Sequence, residues 1–196
     1  MSRSTTKKLT LVAVLSAISF VLTIFPQVAI IPSASFLKID FSIVPAFLAL
    51  EWLGLGSAVW VLVIRTVLKL ILFNEGPNTY IGLPVNLVLA LTFVIIVWLV
   101  RKGQAKADKG PTAIWQGLAA VLSTLALTVM AFLVNIVWAI PLYARFANFD
   151  IAKFIGTKVY LWTMVVPFNL VEGLIWFIVS ALIVTILSPF KKSFHS

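Results

Sequence analysis

Long apolar runs, broken only by short clusters of charge, glycine and proline, leave this chain one kind of environment. Six stand out, at about Leu9–Phe25, Phe41–Trp52, Gly56–Phe73, Ile81–Val100, Thr112–Ile140 and Tyr160–Leu187. Backbone polar groups in hydrocarbon have no water to bond, so each run is read as an α-helix whose hydrogen bonds are internal. A crossing of the roughly 30 Å hydrocarbon core takes about 20 such residues at 1.5 Å each. The second run is short for that and is expected to tilt or to be extended by Lys38–Asp40. The fifth is long and is expected to tilt or to begin in the interface. Composition points the same way. The chain is 62% hydrophobic and 11% charged, with mean hydropathy +1.12, whereas a soluble domain is about half apolar and a quarter charged. The expectation is a single all-α membrane domain over residues 1–196, a bundle of six transmembrane helices with no large soluble part. The basic start followed by an apolar run looks like a secretory signal. It has no small-residue cleavage site, so it is read as a retained first helix.

Charge orients the bundle. Arg3, Lys7 and Lys8 precede the first run, Arg101, Lys102, Lys106 and Lys109 follow the fourth, and Lys191 and Lys192 end the chain. Six crossings put all three groups on one side, which the excess of lysine and arginine makes cytoplasmic, with both termini there. Five or seven would divide them. Arg145, Lys153 and Lys158 then lie outside, against the rule. A net charge of +9 also raises nucleic acid as a partner, but no basic stripe interleaves with exposed aromatics as such binding requires.

Much chemistry is excluded. Without cysteine there is no disulfide, thiol catalysis or thiolate metal site, and the one histidine, His195, cannot build a site alone. No GxxxxGK[ST] or HExxH motif occurs, and the six acidic residues form no catalytic pair. An enzyme is not expected, nor a metal or resident cofactor. "GLGS" at Gly54–Ser57 reads as a tight turn between helices.

Polar residues at membrane depth are costly and mark functional sites by default. Arg65 and Lys69 share a face of the third run, Asn86 lies in the fourth, Asn135 in the fifth, and Asn169 and Glu172 in the sixth. Lys38 and Asp40 stand at the outer mouth of the second. Two readings stay open for them. Glu172 pairs with Arg65 or Lys69 and the asparagines join helices, or the set lines a pocket open to the outside. A pocket walled by aromatic and aliphatic residues would take a small ligand with a flat apolar body and a polar edge. Ala13 and Ala17, four apart with Ser16 beside them, let another helix approach closely, within the bundle or from a partner.

The stretches "FLKIDFSIVPAF", "LVNIVWAIPLY" and "VVPFNLVEGLIW", with "AVLSA" in the first helix, resemble the riboflavin-specific substrate-binding subunits (S components) of energy-coupling factor (ECF) transporters. The resemblance runs from about Leu9 to Leu187. It implies a multi-pass protein of the prokaryotic cell membrane that binds the vitamin in an outward-facing pocket and topples while docked on a coupling transmembrane protein. Two cytoplasmic ABC ATPases would drive it, so ATP hydrolysis belongs to the partners and riboflavin is the cargo, not a cofactor. It places Phe36, Leu37, Lys38, Asp40, Asn86, Asn135, Tyr143, Asn169 and Glu172 at the flavin, and Ala13 and Ala17 against the coupling protein. Lys38 and Asp40 would pair with each other or with the backbone of the first loop and fix it as a lid. Two positions depart from the pattern. Ile43 stands where the family commonly has an acid, and Glu172 where it commonly has a lysine expected at the flavin ring. A carboxylate accepts where an ammonium donates, so Glu172 would meet a ring N–H. The alternatives are an S component for another vitamin, such as pantothenate or a pyrimidine precursor, a facilitator that needs no ATPase, and a scaffold without a ligand.

Overall fold

In a computed structural model the chain is an almost wholly helical bundle, described over residues 3–34, 36–107 and 113–195. The expected start of the fifth run at Thr112, and Lys109 of the basic loop, lie outside those residues. The elements are α1 (Arg3–Leu22), β1 (Gln27–Ala29), β2 (Lys38–Asp40), α2 (Ile43–Leu53), α3 (Leu55–Leu72), α4 (Pro77–Lys106), α5 (Ala113–Val134), α6 (Ile140–Phe146), α7 (Ile151–Phe154), α8 (Thr157–Val159) and α9 (Val166–His195). Two π-helical segments, Asn135–Ala139 and Tyr160–Val165, join α5 to α6 and α8 to α9 without breaking the rods.

Five helical stretches among the described residues are long and apolar enough to cross a membrane: Thr5–Leu22, Leu55–Leu72, Pro77–Lys106, Ala113–Phe146 and Thr157–Lys191. Helix α2 is different. Its 11 residues reach about 16 Å, and every residue from Ile43 to Leu50 is buried. It is the hub of the bundle, packed against α1, α3 and α9. The aromatic core forms around it: Phe47 lies 5.8 Å from Phe177 and 6.3 Å from Phe93, and Phe93 lies 5.7 Å from Trp176.

Three expectations need correction. Lys38–Asp40 does not extend α2. It is a strand paired antiparallel with β1, Gln27 opposite Asp40 and Ala29 opposite Lys38. Its residues bond across a hairpin, which an apolar-run count does not register. Second, α4 begins four residues before Ile81 and ends six after Val100, because Pro77 suits a first helical turn and Lys106 a last one. Third, much of "PLYARFANFDIAKFIGTK" is helical, in α6, α7 and α8. Its breaks fall after Phe146 and at Gly156, whose φ of 87° suits glycine.

Close packing of α5 on α9 depends on Gly173. A Cβ there would stand 2.8 Å from Thr124 Oγ1 and 3.0 Å from Thr124 Cα. Where lipid surrounds the helices, such small-residue contacts, rather than exclusion of water, draw them together.

The ends of the rods divide into two polar regions. At one, Arg101 Nε of α4 meets Glu51 Oε1 of α2 at 3.1 Å, and Lys191 Nζ of α9 donates to the Glu51 carbonyl at 2.8 Å. The C-terminal ends of α2, α4 and α9 therefore lie together. At the other lie the hairpin, the end of α3, the start of α4 and the short helices α6 to α8, around a cavity.

Candidate functional site

The cavity has a volume of about 520 Å³, within the range of small-molecule sites. Strand periodicity builds one wall: Lys38 and Asp40 are two apart on β2, so their side chains leave the same face, and both line it. Asn78, Thr79 and Asn86 of α4 form a second wall, Lys69 and Glu75 a third, and Tyr143 of α6 with Phe149 and Ile151 a fourth. Thr23 and Gln27 complete the hairpin side. Phe36 lies edge-on to Phe149 with ring centroids 6.1 Å apart, and 6.2 Å from Tyr160, so an aromatic surface faces the polar walls.

Asp40 is the pivot of this end. Its Oδ1 accepts from Ser42 N at 2.9 Å and from Ser42 Oγ at 2.5 Å, and its carbonyl accepts from Trp176 Nε1 at 2.9 Å. Ser19 of α1 donates to the Ser42 carbonyl at 2.5 Å. The β2–α2 junction is thereby tied to α1 and α9. The Lys38–Asp40 ion pair is not formed; among the described residues the one ion pair is Arg101–Glu51. Asp40 instead holds the backbone and hydroxyl donors of Ser42, at the start of α2 rather than in the first loop, so it follows neither of the two arrangements expected for it.

Of the residues singled out from sequence, Phe36, Lys38, Asp40, Asn86 and Tyr143 come together on the cavity wall. Leu37 packs on the core instead. Asn135, Asn169 and Glu172 are buried off the wall. Asn135 Oδ1 accepts from Tyr160 Oη at 3.0 Å, joining the first turns of the two π-helical segments, and its Nδ2 donates to the Ala131 carbonyl at 2.8 Å. Such π-turns, frequent at functional sites, re-aim side chains without ending a helix. Asn169 Nδ2 donates to the Val165 carbonyl at 2.7 Å, while its Oδ1 is buried and unpartnered. Glu172 is 4% exposed and outside any described ion pair. The pairing of Glu172 with Arg65 or Lys69 is not seen. Arg65 donates to Ser42 Oγ and, at 2.7 Å, to Asn86 Oδ1, and Lys69 donates to the Thr23 carbonyl at 3.3 Å. Ala13 and Ala17 are exposed on α1 among Leu9, Val14, Ile18 and Val21, whereas Ser16 is buried and donates to the Val12 carbonyl.

Several lining residues were not singled out: Thr23, Gln27, Glu75, Asn78, Thr79 and Phe149. They sit on turns or helix ends, where polar residues are ordinary, so only the fold gathers them. Tyr160 had one available signal, an aromatic hydroxyl at the start of an apolar run.

This architecture has known counterparts. A solved structure described as the S component of a bacterial ECF transporter superposes with a TM-score of 0.74 at 24% identity, covering 95% of this chain and 98% of that one. The family "ECF transporter, substrate-specific component" matches residues 7–184. This chain belongs to that family. It is 53% identical over 192 residues to the riboflavin transporter RibU of Leuconostoc mesenteroides subsp. mesenteroides, covering 97% of this chain and 95% of that one. It is 48% identical to RibU of Streptococcus thermophilus, over 91% of this chain and 81% of the relative. RibU of Lactococcus lactis subsp. cremoris shares 35% identity over 97% and 96%. Membership in this transporter family and the apolar helices make the protein a multi-pass component of the prokaryotic cell membrane.

Proposed function

We propose that this S component binds riboflavin in the cavity beneath the β1–β2 hairpin and delivers it inward on a coupling transmembrane protein driven by two ABC ATPases. The observation that carries the ligand is 53% identity, across almost the whole chain, to a protein named a riboflavin transporter. The cavity fits the chemistry. Phe36 and Phe149 offer aromatic surface to a flat ring, and Lys38, Asp40, Asn78 and Asn86 offer donors and acceptors to a polyhydroxylated chain and a polar ring edge. Asn135, Asn169 and Glu172 stand behind the wall, with the Asn169 oxygen free to accept once a ligand or a shift of α9 reaches it. Leu37, next to Phe36 in the chain, packs against the core. Glu172, in place of the family's lysine and about one turn on from Asn169, accepts a ring N–H once the same shift of α9 brings it to the cavity.

The charge pattern and the packed ends support six crossings with both termini in the cytoplasm. Lys7 and Lys8 begin α1, whose far end supplies Thr23 to the cavity, and Lys102, Lys106 and Lys191 lie where α2, α4 and α9 end together. Helix α2, short but buried among α1, α3 and α9, is counted as the remaining crossing. The exposed Ala13 and Ala17 face takes the coupling protein, since small residues let a partner helix approach.

Purified protein titrated with riboflavin tests the ligand. Saturable quenching of flavin fluorescence supports the reading, and its absence, with quenching or co-purification of a different vitamin, removes riboflavin. Uptake with and without the ATPases tests the energy source: uptake by this chain alone would contradict the coupled mechanism.

A further inference from the structure

Arg65 is 1% exposed on α3, within a stretch long and apolar enough to cross a membrane. A guanidinium carries five N–H donors and keeps its charge. No carboxylate lies within ion-pair distance of it among the described residues. One terminal nitrogen donates to Ser42 Oγ, the other to Asn86 Oδ1 at 2.7 Å, and Nε is buried without a partner. The Asp40 carboxylate is reached only through the Ser42 hydroxyl, so the guanidinium's direct bonds go to neutral groups rather than to an anion. Its arrangement has a consequence for the cavity. Asn86 lines that cavity, and the Arg65 bond goes to its amide oxygen. The oxygen has two lone pairs; the Arg65 bond fills one and fixes which way the amide faces, and with it where the NH₂ stands. Ser42 anchors the guanidinium from the other side, its own hydroxyl hydrogen directed to Asp40 Oδ1 at 2.5 Å.

We propose that Arg65 is a positioning residue of the binding cavity, acting through Asn86: it grips the amide oxygen so that the NH₂ stands in the wall as a fixed donor. The group this donor recognises is an acceptor on an uncharged solute, a carbonyl or ring nitrogen or a hydroxyl oxygen. Only a planar fork reaches Ser42 and Asn86 together, so lysine, a single ammonium, does not replace it. The choice of riboflavin as probe rests on the function proposed above.

The test uses the full chain in detergent and two readouts. One is riboflavin affinity by fluorescence quenching. The other is the side-chain amide resonance of Asn86, assigned by its loss in Asn86→Ala. Arg65→Lys and Asn86→Ala are each expected to weaken riboflavin binding about tenfold, the scale of one hydrogen bond to a charged or buried partner. The double variant is expected to bind within about twofold of Asn86→Ala alone, since residues acting in series are not additive. In Arg65→Lys the Asn86 amide resonance is expected to shift or broaden. Asn86→Asp keeps a partner for Arg65 but removes the NH₂, and is expected to lose the same affinity while remaining folded, which covers a failure of Arg65→Lys to fold. Losses that multiply in the double variant, or wild-type affinity in Arg65→Lys or Asn86→Asp, overturn the proposal. If the wild-type protein does not bind riboflavin, the ligand reading fails by itself. The amide resonance then decides: unmoved in Arg65→Lys it refutes the positioning role, and displaced it supports it.

Discussion

Both ends of the bundle gather polar groups around an arginine, and they satisfy it in opposite ways. Arg101 has a carboxylate in Glu51 at 3.1 Å and a further acceptor in Gln116 Oε1 at 2.9 Å, while Lys191 secures the Glu51 carbonyl. That end is tied helix to helix, closing around a smaller cavity of about 370 Å³ whose wall includes Glu51, Arg101 and Gln116. Arg65 has no direct ion pair among the described residues: it reaches the Asp40 carboxylate only through Ser42, leaves Nε unpartnered and gives its other terminal nitrogen to a cavity-lining asparagine. Asn169 Oδ1, on α9, is also unpartnered. Thr124 Oγ1 and Ser180 Oγ, in the interior of α5 and α9, are unpartnered too, but buried polar atoms are nearly always satisfied, so an orphaned nitrogen on a guanidinium bonded beside a cavity calls for a reason. The closed end holds the rods together. The open end keeps donors and acceptors for something that arrives.

Substitutions at the junction between the two ends should erase the contrast, and do so most strongly. Gly173→Val drives a side chain into Thr124 where a Cβ alone already stands 2.8 Å from Oγ1. Overpacking of this kind costs about 3 kcal/mol, so thermal unfolding and riboflavin binding should fall together. At the open end, Asp40→Ala removes the acceptor of two Ser42 donors and should weaken riboflavin binding by about 2 kcal/mol, read by fluorescence titration. Tyr160→Phe deletes the hydroxyl that joins the two π-helical segments through Asn135. A loss of about 1 kcal/mol in affinity is expected, because Asn135 Oδ1 is left without its donor. At the closed end, Arg101→Gln should cost about 0.5 kcal/mol of stability, since the pair is partly exposed and screened, and should leave riboflavin affinity unchanged. A large affinity loss in Arg101→Gln would break the division of labour between the two ends.

Sequence showed the rods and hid their punctuation. Continuous apolar runs mark α1, α3, α4, α5 and α9 because hydrocarbon forces helix on whatever crosses it. The π-turns at Asn135 and Tyr160 leave no comparable mark, since one extra residue per turn does not disturb an apolar run. Three-residue strands such as Lys38–Asp40 are too short to show alternation. The two opposite charges beside α2 are explained only in three dimensions. Asp40 is consumed by Ser42 and Trp176, while Lys38 stays exposed at the cavity mouth. Asn86 and Arg65 were each visible as polar residues in oil, but their bond needs the packing of α3 on α4. Electrostatic expectation paired Arg65 or Lys69 with Glu172. Packing gave them Ser42, Asn86 and the Thr23 carbonyl instead.

One comparison of affinities reaches the centre of the account: riboflavin titrated into Asp40→Ala and Glu51→Ala proteins side by side with the wild type. If the open end exists to grip an external solute, Glu51→Ala binds as the wild type does and Asp40→Ala binds at least about tenfold more weakly. Equal affinities for the two variants would contradict it.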